Sequence, residues 1–295
     1  MTAPLIVVAG ASGQLGQTLS RCWAKSPISG YQFVALDRAG LDVGKADSAR
    51  EVLAELKPAV IINAAAYTQV DKAESDSDNA YLINEKAVAT LAAWALENEA
   101  RILHVSTDFV FDGASKIPYL PDQQTRPLGV YGASKRAGEE KIEALVSDHC
   151  AIIRTSWLYS EYGSNFVKTM LRLMGEKEVL SVVDDQFGSP TSTHGLANLI
   201  FAMIRKERYQ GIYHWTDGGS ISWFEFAQEI QRQALEKGLL SKAIPIKPIS
   251  TTEYPTPAQR PAYSVLDRNR ALNEFECPQQ DWKEQLANVM NELAR

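Results

Sequence analysis

Pro4-Leu5-Ile6-Val7-Val8-Ala9 runs straight into Gly10-Ala11-Ser12-Gly13-Gln14-Leu15-Gly16, and the reading of this stretch decides the fold. Its first half is a continuous, largely β-branched apolar run, which predicts a strand buried on both faces, as in a parallel sheet. Its second half sets three glycines at the spacing G-x-x-G-x-x-G where such a strand gives way to a helix. Glycines there let the backbone turn tightly and approach a pyrophosphate, whose charge the free N–H groups of the helix N-terminus stabilise. The usual dinucleotide fingerprint begins G-x-G, so a glycine turn that serves packing alone is the competing reading.

Working outward, short apolar runs recur at Phe33–Leu36, Ala59–Ile62, Ile102–Val105 and Ala151–Ile153, separated by stretches with helical spacing. Alternating strand and helix predicts an α/β fold with a doubly wound parallel sheet, the Rossmann arrangement. Ser48-Ala-Arg-Glu51 has a capping-box pattern ahead of Val52, Leu53 and Leu56, and Ala87–Glu97 carries a second apolar helix face. Beyond about residue 155 the alternation fades, and Gly188–Pro190, Gly218–Gly219 and Pro245–Pro261 mark long connections. The expected division is a dinucleotide-binding domain over 1–155 and a smaller, mixed α/β substrate-binding region over 156–295. A segment of about 192–215 returns to the first sheet, with Leu196–Ile204 helical and Gly211–Trp215 strand-like, before Ser222-Trp-Phe-Glu225 caps another helix.

The 295 residues are 45% hydrophobic and 22% charged, which suits a folded chain of about two domains. Thirty basic against 36 acidic side chains leave a net charge of −6, so no global positive field holds a nucleic acid or an anionic membrane. Cys22, Cys150 and Cys277 are scattered and form no C-x-x-C pair, which argues for a reducing compartment and against a thiolate zinc site. His104, His149, His194 and His214 show no H-x-x-x-H spacing, and no metal is expected. The first twenty residues hold no Lys or Arg, and Leu5–Ala9 is far too short to span a bilayer. The expectation is a soluble cytoplasmic protein.

Asp37 follows Gly16 by 21 residues, where a carboxylate accepts hydrogen bonds from an adenosine ribose. Arg38 beside it would instead pair with a 2′-phosphate, so the choice between NAD and NADP stays open, as does an ordinary strand-end turn. Tyr131-Gly-Ala-Ser-Lys135 sets a phenol and an ammonium on one helix face. A phenol titrates near about 10 unaided, and a nearby cation favours phenolate, so the pair predicts proton transfer. By itself Y-x-x-x-K is usually a solvated helix face. Here it follows a nucleotide-binding half-domain, and Ser106-Thr107-Asp108 ends the preceding strand, where open α/β sheets place ligands.

Gly10–Gly16, Asn63-Ala-Ala-Ala-Tyr-Thr-Gln-Val-Asp-Lys-Ala-Glu74, Ser106-Thr-Asp-Phe-Val-Phe-Asp-Gly113, Tyr131–Lys135 and Arg154-Thr-Ser-Trp157 together resemble the extended short-chain dehydrogenase/reductase superfamily. Within it the chain is similar to the branch that reduces dTDP-linked 4-dehydro sugars. That similarity continues through Asn165–Leu171, Asp185–Thr191 and Pro255–Pro261, nearly the whole chain. The glycine and Tyr–Lys patterns are shared across the superfamily; the V-D-K-A-E, D-Q-F-G-x-P-T and R-T-S-W segments are narrower.

The resemblance implies hydride transfer from NADPH or NADH to the C4 ketone of a dTDP-sugar. It makes Thr107, Tyr131 and Lys135 catalytic, with Tyr131 the proton donor, Lys135 holding the nicotinamide ribose and Thr107 orienting the carbonyl. Cofactor contacts would come from Gly10, Ser12, Gly13, Gln14, Leu15, Gly16, Asp37, Arg38, Asp42, Val43, Ala64, Ala65, Ala66, Tyr67, Tyr131 and Lys135. Substrate contacts would come from Thr107, Asp108, Phe109, Trp157, Asn165, Phe166, Lys168 and Arg260, the arginine on the diphosphate. Packing is the competing role for Trp157 and the alanines, and a solvated surface for Arg260. Some relatives bind magnesium through acidic residues near a dimer contact; the stretches around Thr18 and His194 offer none, and a homodimer is left open. Two rivals remain: a related nucleotide-sugar reductase or epimerase, and a catalytically silent NADP-binding regulatory subunit like that of methionine adenosyltransferase. A silent subunit has no need of Thr107, Tyr131 and Lys135 together.

Overall fold

The computed structural model describes residues 3–145 and 150–295; His149 lies outside the described residues. Six strands, β1 (Leu5–Ala9), β2 (Gln32–Leu36), β3 (Val60–Asn63), β4 (Arg101–Thr107), β5 (Cys150–Thr155) and β6 (Gly211–His214), form one sheet in the order β6-β5-β4-β3-β1-β2. Every pairing is parallel, with Val7 opposite both Val34 and Ile61, and Tyr213 opposite Ile153. The chain leaves β1 for β2 on one side and returns to β3 on the other. Their carboxyl ends therefore part at a topological switch point, where such sheets bind ligands.

Both faces of the sheet are covered, which is why the middles of its strands are largely apolar. Ile6, Val8, Ile62, Leu103 and Ile153 cluster with Leu19 of α1 (Gln14–Lys25) and Leu196, Ile200 and Met203 of α6 (Thr193–Lys206). Val7, Ile61, Ile102 and Ile152 face the other way. They cluster with Leu53 of α2 (Ala46–Leu56), Leu91 of α3 (Ala87–Glu97) and Ile142 of α4 (Val130–Glu143). Burial at about 25 cal/mol per Å² of apolar surface is what holds such layers together.

A third cluster forms the core of the remaining lobe. Met170 and Met174 of α5 (Phe166–Glu176) meet Phe226 and Ile230 of α7 (Trp223–Glu236) and Leu286 and Met290 of α8 (Trp282–Leu293). The Ser222 box that opens α7 is complete: Ser222 Oγ accepts the Glu225 N–H at 3.1 Å and Glu225 Oε2 accepts the Ser222 N–H at 2.8 Å.

The box expected at Ser48 does not form. Helix α2 begins three residues earlier, with Lys45 as N-cap and no side-chain cap. The Asp42 turn sets that start, because Asp42 Oδ1 accepts the Gly44 N–H at 3.1 Å and its carbonyl accepts the Lys45 N–H at 3.0 Å. Among the described residues no helix is long and apolar enough to cross a membrane.

Candidate active site

Gly10 leaves β1 at φ +94°, and a Cβ on it would lie 2.8 Å from the Ala65 backbone nitrogen. A Cβ on Gly16 would lie 2.3 Å from the Gly10 carbonyl oxygen. Only glycine lets the loop cross the end of β3 and lets α1 pack under it. Gly13 caps α1 without any side-chain bond and the first turn carries no acidic residue, so the N–H groups of that turn face an open cleft. Such a turn can cradle a pyrophosphate.

Two clefts meet at the cradle and share Ser12, Gly13, Ala64, Ala66 and Thr68. One, of about 330 Å³, is lined by Gly10, Arg38, Asp42, Val43, Ala65 and Tyr67, dimensions and lining that suit an adenosine half. The other, of about 510 Å³, is lined by Gln14, Leu15, Thr107, Asp108, Phe109, Tyr131, Lys135 and Trp157. The structure thus gathers Thr107, Tyr131 and Lys135 in one cavity. The Asp37 carboxylate instead shapes the loop after β2, where its Oδ1 accepts the Ala39 and Gly40 N–H groups at 3.0 and 3.1 Å. Arg38 is 84% exposed, with Nε 3.4 Å from Asp42 Oδ2.

The protonation chemistry differs in one respect from the reading of Tyr131–Lys135 as an electrostatic pair. Burial pushes the Tyr131 phenol up to about 12; the downward pull comes from a hydrogen bond with Thr107, and Asp108 adds to the rise. The expected lowering by Lys135 is not what the structure gives, because Lys135 Nζ is engaged elsewhere. It donates to the Val105 carbonyl at 2.7 Å and lies 3.2 Å from His104 Nε2. Burial brings Lys135 itself down to about 8, against an upward pull from Glu139.

Thr107 Oγ1 donates to Asp108 Oδ1 at 3.0 Å and accepts the Phe109 N–H at 3.2 Å. Burial pushes the Asp108 carboxyl up to about 6, with Ser264 and Thr107 pulling it down. Asp108 Oδ2, Ser106 Oγ and Thr155 Oγ1 are buried without a hydrogen-bond partner among the described residues, and all three residues line the larger cleft. Ser106 and Thr155 were not expected contacts. Their signal was positional, since both sit at the carboxyl ends of adjacent parallel strands, where Thr107 pairs with Thr155.

A third cleft of about 400 Å³ lies in the smaller lobe and is lined by Phe166, Met170, Val182, Gln186, Trp223, Tyr254 and Arg260. Trp157, at φ +48°, stacks on Trp223 with centroids 3.5 Å apart, and a small recess lined by Asp108, Phe109, Trp157, Trp223 and Arg260 joins the two regions. Arg260 is held by Asp71, with Nη2 2.9 Å from Oδ2 and Nη1 3.2 Å from Oδ1.

Two expected substrate contacts are used otherwise. Asn165 N-caps α5 by accepting the Lys168 N–H, and its Nδ2 donates to Gln14 Oε1 at 2.9 Å and to the Ser160 carbonyl at 2.8 Å. Lys168 Nζ donates to the Glu161 carbonyl at 3.1 Å and lines none of these clefts. Among the described residues no group of three or more His, Cys, Asp or Glu side chains is arranged to hold a metal ion.

The family described as RmlD substrate binding domain matches residues 4–295. The chain is 40% identical to dTDP-4-dehydrorhamnose reductase of Aggregatibacter actinomycetemcomitans, over 96% of this chain and 97% of that protein. It is 37% identical to the enzyme of the same name from Escherichia coli K12, over 98% and 97%. The crystal structure of dTDP-4-dehydrorhamnose reductase from Bacillus anthracis in complex with NADP superposes with a TM-score of 0.90 at 37% identity, covering 98% of this chain and 99% of that one.

Proposed function

Since the chain belongs to the dTDP-4-dehydrorhamnose reductase family, we propose that it reduces the C4 ketone of dTDP-4-dehydro-β-L-rhamnose to dTDP-β-L-rhamnose with NADPH or NADH. The observation that carries this reading is the meeting of Thr107, Tyr131 and Lys135 in one cavity continuous with the Gly10–Gly16 cradle. The cradle fits the cofactor, because the first turn of α1 has no side-chain cap and no acidic residue, which leaves its N–H groups to a pyrophosphate. Gly10, Ser12, Gly13 and Ala64–Tyr67 would hold the dinucleotide, with Arg38, Asp42 and Val43 about the adenosine.

When bound, the reduced nicotinamide supplies a hydride to the ketone carbon. Tyr131 gives its proton to the oxygen as negative charge develops there. A phenol raised to about 12 keeps that proton until the alkoxide, a stronger base, has begun to form. Thr107 turns its hydroxyl from Asp108 to the carbonyl oxygen and steadies it. Lys135, near 8, restores the proton to Tyr131. The unpartnered Asp108 Oδ2 would take a sugar hydroxyl.

We assign cofactor binding to 1–155 with the return segment 192–215, and nucleotide-sugar binding to 156–295. Trp157, Phe166 and the apolar third cleft suit the thymine and sugar faces, and Arg260 at its rim suits the diphosphate. A coupled assay from dTDP-glucose and the upstream dehydratase and epimerase activities, run with NADH and NADPH in parallel, tests the reading. Oxidation of neither cofactor would overturn it.

A further inference from the structure

Residues 160–165 join Tyr159, in the core of the smaller lobe, to α5, and on the way they lie as a strap against the first turn of α1. The side chain of Gln14 meets them there. Asn165 Nδ2 donates to the Ser160 carbonyl at 2.8 Å and Asn165 Oδ1 accepts the Lys168 N–H at 3.1 Å, so the orientation of this amide is fixed. The atom that Gln14 presents to Nδ2 at 2.9 Å is therefore its carbonyl oxygen, and Ser160 Oγ lies 3.1 Å from the same oxygen. Gly163 turns the strap at φ +59°, and a Cβ there would lie 3.1 Å from Gln14 Cγ. Glycine suits both the left-handed turn and the close approach.

The same face of α1 grips the strap again two turns on. Arg21 Nη1 donates to Glu161 Oε1 at 2.9 Å, and Glu161 Oε2 lies 3.0 Å from His194 Nε2 on α6. Between Gln14 and Arg21, Thr18 Oγ1 is 2.7 Å from Thr193 Oγ1. The strap is thus bonded to one face of one helix, and that helix begins at the pyrophosphate cradle.

The two ends of this bonded chain face different ligands. Gln14 is the first residue of α1, in the turn that has no side-chain cap, and with Gly163 and Ser164 it lines the cavity of Thr107, Tyr131 and Lys135. Asn165 is the N-cap of α5, and its neighbour Phe166 lines the third cleft together with Met170. The hydrogen bond from Asn165 Nδ2 to Gln14 Oε1 joins the cradle to the helix that walls the third cleft.

We propose that Gln14 is a positioning residue that couples the two sites: with a dinucleotide on the first turn of α1, Gln14 holds the strap and the start of α5 in the arrangement that receives the nucleotide-sugar. A ligand that orders a shared segment spares the second ligand that cost, and the effect is reciprocal.

The inference rests on the reductase reading, which supplies the two ligands, and its test needs no turnover. Isothermal titration calorimetry of the full chain with dTDP, alone and with saturating NADP+, gives a ratio of dissociation constants. In the wild type NADP+ should tighten dTDP by at least about fivefold, the lower end for coupled sites, and dTDP should tighten NADP+ by the same factor. Gln14→Met, close in length but without the acceptor, should bring the ratio near one. Asn165→Ser, which keeps an N-cap but has no amide to reach Gln14, should do the same from the other side. Gln14→Glu, whose carboxylate still accepts both donors, should keep the ratio. A substitution that merely loosened the fold would weaken dTDP alike with and without NADP+ and leave the ratio as it was. A wild-type ratio of one or below, or a wild-type ratio in folded Gln14→Met or Asn165→Ser, overturns the proposal. Failure of dTDP to bind the wild type under either condition would overturn the nucleotide-sugar reading, and this inference with it.

Discussion

Arg260 and Asp71 face each other as a two-pronged ion pair, Nη2 to Oδ2 at 2.9 Å and Nη1 to Oδ1 at 3.2 Å, and Asp71 also accepts the Ala258 N–H at 3.3 Å. Asp71 belongs to the short helix Val70–Ala73 beyond β3, whereas Arg260 lies in the chain that rims the third cleft. The pair thus ties the segment around Arg260 to the short helix beyond β3 and sets the arginine on the recess that Trp157 and Trp223 also line.

Arg260→Ala should therefore raise the Michaelis constant for the nucleotide-sugar more than it lowers turnover. A diphosphate contact remote from C4 acts equally in ground and transition states. A charge-assisted hydrogen bond contributes about 1.5–3 kcal/mol, roughly ten- to more than hundred-fold in affinity. Arg260→Lys should recover part of the loss, and Asp71→Ala should share its direction with smaller size. Steady-state kinetics with an unchanged Michaelis constant in the alanine variant would remove Arg260 from the substrate site.

Tyr131→Phe should leave cofactor affinity near wild type and lower turnover by about 10²–10⁴-fold, the usual range for a general acid. Fluorescence titration of the reduced cofactor and single-turnover rates check both halves. A rate near wild type would assign the proton to another group.

Arg38→Ala should penalise NADPH more than NADH, because only NADPH carries a 2′-phosphate for the guanidinium. Arg38 is exposed and loosely paired with Asp42, so its release costs the fold little. Equal losses with the two cofactors would show that Arg38 does not read the phosphate.

Asp217 predicts how stability varies with pH. Burial pushes its carboxyl up to about 8, with the Ser192 N–H pulling down. The folded chain then keeps a proton that the unfolded chain releases above about pH 4, so this residue's contribution to stability is lost as pH rises from about 4 to about 8. Its Oδ2 accepts the Ser192 N–H at 2.7 Å, while Oδ1 and Gln280 Oε1, both flanking Gly195, lack partners among the described residues. Asp217→Asn keeps the first bond and sets an NH2 group against Gln280. Thermal melts should show the variant gaining on the wild type as pH rises, by about 1–3 kcal/mol near pH 8. Melting curves that stay in step across that range would refute the assignment.

Much of this architecture was legible because the sheet is buried on both faces. Runs such as Leu5–Ala9 and Ala151–Ile153 then carry no polar residue to obscure them, and even the return strand near Gly211 could be read. The chemistry of Lys135 was not legible, because its partner His104 lies 31 residues away on another element. Asn165 looked like a ligand and is a helix cap bonded to Gln14, 151 residues distant. Such assignments depend on which side chains the fold brings together, and residue type records only that they can bond.

The parallel pairing of β6 with β5 has a consequence for synthesis. When β5 leaves the ribosome, the strand that covers its edge, Gly211–His214, has yet to be translated. At about 5–20 residues per second that edge stays open for seconds. An exposed, apolar strand edge is a template for pairing with other nascent chains. Fragments ending before Gly211 should therefore aggregate when expressed, and full-length yield should depend on how fast translation passes from β5 to His214.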